Sequence, residues 1–179
     1  MRVSATGKDG EVFTAIGATG VARGDAHQPF DHMPDVPPVD DCRFADFEIA
    51  NIDNSYFLVT DRRVAIEPEQ VEGTGTHAAF WMRVDGRRVT PPMLPFFGDA
   101  AAFGVFSALG YPVMAPAMSC TSIDNTLRVG ADVDTEWVLL DIRCHFVDSG
   151  YGHGTVELWA PDGSLMGTVS QSLAIRSRR

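Results

Sequence analysis

The residue of this 179-residue chain best placed to do chemistry is Asp99, a single acid in the run MLPFFGDAAAFGVFSAL. An unpaired carboxylate inside an apolar helix is costly, so it demands partners or a held water. Desolvation would raise its pKa, which suits a general base working near neutral pH. The competing reading is a surface-facing Asp near a helix start, where the macrodipole favours it. Asp124 is a second acid; a strand bend whose backbone donors it satisfies is the preferred reading over catalysis. Other chemistries find less support. His27, His32, His77, His145 and His153 show no metal-ligand spacing; the first two sit in a Pro/Asp-rich stretch and read as solvated, and His145 falls in a strand. The absence of Gly-x-Ser-x-Gly argues against a serine nucleophile on an α/β-hydrolase elbow. Cys42, Cys120 and Cys144 are odd in number and scattered, with no Cys-x-x-Cys. They form neither a disulfide framework nor a zinc cage and suit a reducing cytoplasm. Cys144 reads as a small buried hydrophobe.

Several elements must position Asp99. Pro91-Pro92 opens its helix, since proline fits a first turn. Gly110 and Pro112 close it. Apolar residues from Met93 to Leu109 cover most of its surface, so other elements must wrap it. Strands are expected over Arg63–Glu67, Ala78–Val84, Ala117–Val129, Glu136–Val147, His153–Ala160 and Ser164–Ile175. Asp85-Gly86 and Pro161-Asp162-Gly163 are turns between them. Serial strands with a tight last hairpin favour antiparallel pairing. One buried helix in a curled antiparallel sheet is the α+β arrangement called the hotdog fold. Upstream, residues 1–22 read as two strands around Asp9-Gly10, a strong hairpin signal. Residues 24–43 carry Pro34, Pro37 and Pro38 among aspartates and read as a semi-extended linker. Residues 44–60 leave a short helix or a loop open.

The formal charge of -10 argues against a nucleic-acid binder, which carries a basic stripe. No segment reaches the roughly 20 apolar residues of a membrane span, and the N-terminus has no apolar signal core.

Three segments resemble the TesB-type acyl-CoA thioesterases. They are Leu94-Pro95-Phe96-Phe97-Gly98-Asp99, then Thr121-Ser122-Ile123-Asp124-Asn125 with Glu136-Trp137-Val138-Leu139-Leu140, then Pro161-Asp162-Gly163-Ser164-Leu165 with Val169-Ser170-Gln171 and Ile175-Arg176. Order and spacing fit over residues 62–176. That family holds two hotdog units in one chain. The resemblance implies residues 1–23 as the last two strands of a first unit, 24–43 as the linker and 44–179 as the C-terminal hotdog domain, with the earlier part of the first unit missing.

The resemblance also implies a site. A water would be held by Asp99, Ser122 and Gln171, where the family has Asp, Thr and Gln. Serine keeps the hydroxyl but loses the methyl that restrains the rotamer. Backbone N–H groups near Phe97 or Gly98 would face the oxyanion, with glycine letting substrate approach. Arg87 and Arg88 would meet the phosphates of coenzyme A, and Phe103 and Phe106 the acyl tail. The implied activity is hydrolysis of acyl-CoA thioesters in fatty acid metabolism, with no metal and no cofactor beyond the coenzyme A of the substrate. Membrane and nucleic acid are not expected partners; a homo-oligomer is, because a sheet edge needs covering. The alternative is a non-catalytic hotdog subunit or acyl-ligand-binding protein, a truncated gene product. A hotdog dehydratase ranks last, since no His follows Asp99 at helical spacing.

Overall fold

A computed structural model describes residues 1–21, 31–45, 58–71, 75–110 and 118–177. It divides into two units, Met1–Phe30 and Asp31–Arg179. In the first, strands β1 (Arg2–Gly7) and β2 (Gly10–Ile16) pair antiparallel around Lys8-Asp9. Gly10 has φ 121°, a conformation glycine adopts without strain. The hairpin expectation therefore holds. His27 lies outside the described residues, as do 46–57 and Pro112.

The second unit is a hotdog. Its sheet holds β3 (Arg43–Phe44), β4 (Thr60–Val71), β5 (Gly75–Val84), β6 (Met118–Val129), β7 (Val138–Asp148), β8 (Tyr151–Trp159) and β9 (Leu165–Ser177), in the order β3-β4-β5-β7-β8-β9-β6. Every pairing is antiparallel. The six expected strands are all present, most of them longer than the alternation suggested. The turn glycines Gly86 and Gly163 have φ 64° and 86°.

The central helix differs from the expectation in one informative way. A 3-10 turn (Pro91–Met93) leads into α1 (Leu94–Gly98), and α2 runs from Ala101 to Ala108. The two helices are separated at Asp99-Ala100, where Asp99 has φ -77° and ψ 39°. Asp99 thus stands at a break between helices, not inside a continuous one. Gly110, at φ 70°, ends the segment as expected.

Small residues let the helices lie close on the sheet. A Cβ on Gly98 would come within 2.5 Å of Val169 Cγ2, and one on Gly152 within 2.9 Å of Val105. Thr76 Oγ1 donates to Gly104 O at 2.8 Å, fixing α2 to β5. Successive helix-facing rows of the register run Phe80–Leu140–Leu158, then Ala78–Ile142–Val156–Val169, then Thr76–Cys144–Gly154–Gln171. The first two rows are apolar core with Phe97, Phe103 and Val105. Gln171 falls in the third.

The outer face is sealed at one end by Trp81, Leu139 and Trp159, against which Met33, Val36 and Val39 pack. Trp81 Nε1 donates to Pro37 O at 3.1 Å. The proline-rich stretch read as a linker therefore lies, from Asp31 onward, on the sheet.

Candidate functional site

Side chains from three elements meet at the helix break. Asp99 directly precedes Ala100, the N-cap of α2, and that cap has no side-chain hydrogen bond. The Asp99 carboxylate reaches the sheet, where side chains of β6 and β9 donate to it. Gln171 projects from β9 toward the helices and is 0% exposed. Ser122 comes from β6, brought to the same face by a β-bulge: Ser122 pairs with Leu173 and Asp124 with Ser172, so Ile123 is the extra residue.

The three side chains form one hydrogen-bonded cluster. Ser122 Oγ donates to Asp99 Oδ1 at 3.1 Å. Gln171 Nε2 donates to Ser122 Oγ at 2.9 Å and also to Asp99 Oδ1. Among the described residues, Gln171 Oε1 is buried with no hydrogen-bond partner. Turning the amide over would aim that oxygen at the carboxylate, so the charge on Asp99 fixes its orientation. A buried amide oxygen lacking a donor is the kind of atom that ordered water satisfies.

Burial of Asp99 is a correction. The acid and Ser122 are exposed, and only Gln171 is fully buried. The break in the helix places the acid at the rim of the core.

The remaining sequence-predicted residues fall in different places. Phe97 and Gly98 are buried directly before Asp99. The space a Cβ would need at Gly98 belongs to Val169, which accounts for the glycine without a substrate. Phe103 and Phe106 are buried, and Phe103 packs edge-on to Phe80 with centroids 6.1 Å apart. Arg88 is paired with Asp134 through Nε, and its Nη1 lies 3.8 Å from Glu136. Arg87 is exposed. Asp124 Oδ1 accepts from Ser172 N at 2.8 Å, so it does satisfy a backbone donor at a strand bend.

One neighbour escaped the sequence reading. Burial first, then the neighbouring Asp99 and Cys144, push the Cys120 thiol up to about 11. It stays protonated and is no nucleophile. Only its two-residue spacing from Ser122 along a strand would have placed it on the site face. Among the described residues no group of three His, Cys, Asp or Glu side chains is arranged to hold a metal, and no helix is long and apolar enough to cross a membrane.

Fold and cluster define a hotdog-fold protein with a polar site at its helix break. Residues 31–175 match the acyl-CoA thioesterase C-terminal domain, and the chain belongs to that family. A Novosphingobium aromaticivorans protein whose description places it with the thioesterases without fixing its activity is 29% identical, with a TM-score of 0.84; the match covers 98% of this chain and 66% of that one. Acyl-CoA thioesterase II of Mycobacterium marinum is 20% identical (TM-score 0.61), with 99% and 68% covered. An Alicyclobacillus acidocaldarius protein with a hot dog fold is 23% identical (TM-score 0.71), with 99% and 67% covered. The last two show the fold alone. This chain spans about two thirds of the length of these solved relatives. Among proteins with curated descriptions, none matches.

Proposed function

We propose that this chain hydrolyses acyl-CoA thioesters, with Asp99 as general base and Ser122 and Gln171 as the groups that hold the attacking water. The observation that carries the reading is the double donation by Gln171 Nε2 to Asp99 and Ser122, beside a buried amide oxygen left without a donor. Both bonds to Asp99 fall on Oδ1, which leaves Oδ2 to take a proton. A water donating one hydrogen to Gln171 Oε1 and the other to Asp99 Oδ2 would have its lone pair free for the thioester carbon. As the C–O bond forms, Asp99 takes the proton. Collapse of the tetrahedral intermediate breaks the C–S bond, and the coenzyme A thiolate leaves and is reprotonated. General-base assistance of this kind contributes about 100-fold to 10,000-fold.

The family match over residues 31–175 supports the substrate class. The reaction needs no metal and no cofactor beyond the coenzyme A of the substrate. Three free cysteines are in keeping with a cytoplasmic setting. Pairing of copies would cover β6, which among the described residues is an edge strand beside β9. Phosphates would find Arg87 more available than Arg88, which already has acidic partners.

The test is hydrolysis of acetyl-, hexanoyl- and palmitoyl-CoA by wild type and Asp99→Asn. Loss of turnover in the variant is expected. Equal rates would remove the role given to Asp99. Tight binding of acyl-CoA with no turnover would favour an acyl-ligand-binding protein.

A further inference from the structure

We propose that Asp124 is the positioning residue that keeps Ser122 and Gln171 within hydrogen-bonding reach of Asp99. This deepens the reading above, and its kinetic consequence rests on that reading.

An extra residue in one strand disrupts the ladder locally and re-aims the side chains on either side. Here it sets Ser122 on the helix face while Asp124, two residues on, lies on the outer face opposite Ser172. The outer-face carboxylate then clamps the neighbouring strand. Ser172 N donates to Asp124 Oδ1 at 2.8 Å, and Ser172 Oγ donates to Oδ2 at 3.3 Å. Ser172 is the residue next to Gln171, and its hydroxyl also lies 3.4 Å from His153 Nδ1. A single side chain thus ties the strand of the hydroxyl to the strand of the amide, at the level of the site and from behind it.

The clamp is needed because β6 is an edge strand. Among the described residues it has a neighbour on one side, β9, and its residues from Thr121 to Thr126 are exposed. Little packing fixes the register of such a strand at a bulge. Gln171 must meet two acceptors at once, so a shift of about 1 Å breaks the arrangement, and misplacement on that scale costs about 100-fold in rate.

The test uses the full chain with 15N-labelled side-chain amides, the Gln171 signal being identified by its loss in Gln171→Leu. In Asp124→Ala the Gln171 amide is expected to lose at least about tenfold of its exchange protection. The kcat should fall about 100-fold, with KM within about threefold. Asp124→Asn keeps an oxygen for Ser172 N and an amide that can donate to Ser172 Oγ, so it should stay within about threefold of wild type. If Asp124→Ala does not fold, Asp124→Glu carries the test: one added methylene displaces the clamp, and the same two losses are expected. Unchanged Gln171 protection in Asp124→Ala overturns the proposal, and so does an Asp124→Asn as damaging as the alanine. Hydrolysis abolished by Asp99→Asn but intact in Asp124→Ala also sinks the clamp and spares the reaction. A wild type that hydrolyses none of the three acyl-CoAs sinks the reaction, while the amide signal still decides the clamp.

Discussion

Two polar clusters occupy opposite faces of the same sheet, and they are built on different terms. On the outer face Asp141 is 3% exposed, its Oδ1 lies 2.6 Å from His77 Nε2, and its Oδ2 lies 3.7 Å from Arg143. On the helix face Asp99 is exposed, and among the described residues its two hydrogen bonds share one oxygen while the amide beside it has a buried oxygen without a donor. The outer carboxylate is enclosed and partnered, as a buried charge must be to persist. The inner one is open, and its neighbour is incomplete. The difference teaches where to look for chemistry: a satisfied cluster holds the fold, and an unsatisfied one can take a ligand.

The sharpest way to break that comparison is to neutralise each acid. Asp99→Asn should lower kcat for acyl-CoA by about 100-fold to 10,000-fold, with an unchanged melting temperature. Asp141→Asn should leave kcat of the folded protein within about threefold, because nothing in its cluster faces the helix break. A rate loss for Asp141→Asn equal to that for Asp99→Asn would erase the distinction. The next largest effect is on stability. Asp141→Ala strips His77 and Arg143 of their shared partner. Removing one member of a buried pair costs up to about 5 kcal/mol, and Arg143 can turn to water, so about 2–3 kcal/mol is expected. Denaturant unfolding measures it.

Much of this arrangement was legible in residue order. Strands, turns and the wrapped helix followed from alternation, Asp-Gly and Gly-Pro signals, because those patterns are local. Asp124 as an anchor at a strand bend followed from an acid inside a strand-like run. The break at Asp99-Ala100 did not follow, since Ala100, Ala101 and Ala102 are good helix formers. What adjoins the break is a tertiary contact, Gly98 against Val169, that residue order does not show. The exposure of Asp99 is hidden for the same reason: apolar neighbours in sequence do not enclose an acid that stands at a kink. In the stretch with Pro34, Pro37 and Pro38, composition is silent on the Trp81 indole that Pro37 receives. The bulge at Ile123 was equally invisible, because register shifts depend on the partner strand.

A milder perturbation sharpens the contact between the helix break and the sheet. Gly98→Ala would put a Cβ 2.5 Å from Val169 Cγ2. Over-packing of that kind costs about 1–3 kcal/mol. It should also lower kcat, because Asp99 is the next residue. Combining it with Val169→Ala makes room for the methyl and should restore much of the rate. A double variant no better than Gly98→Ala would mean that the break is not set by this contact.

The smallest effect belongs to the outer cluster and concerns pH. Burial raises the pKa of Glu157, and the Asp141 and Asp31 carboxylates push it further up. A carboxyl whose folded pKa exceeds its unfolded value of about 4.3 is disfavoured as an anion in the fold. Below the unfolded pKa both states are protonated and the residue is neutral in its effect. As pH rises through the window between the two values, the unfolded state ionises first, and Glu157 costs stability from there to neutrality. Glu157→Gln should therefore be more stable than wild type at pH 7, with the gain vanishing at and below about pH 4. Acyl-CoA turnover at pH 7 should not change, since the residue lies on the outer face. Denaturation curves at the two pH values decide it: a gain that persists in acid would show that shape, and not charge, limits this half of the sheet.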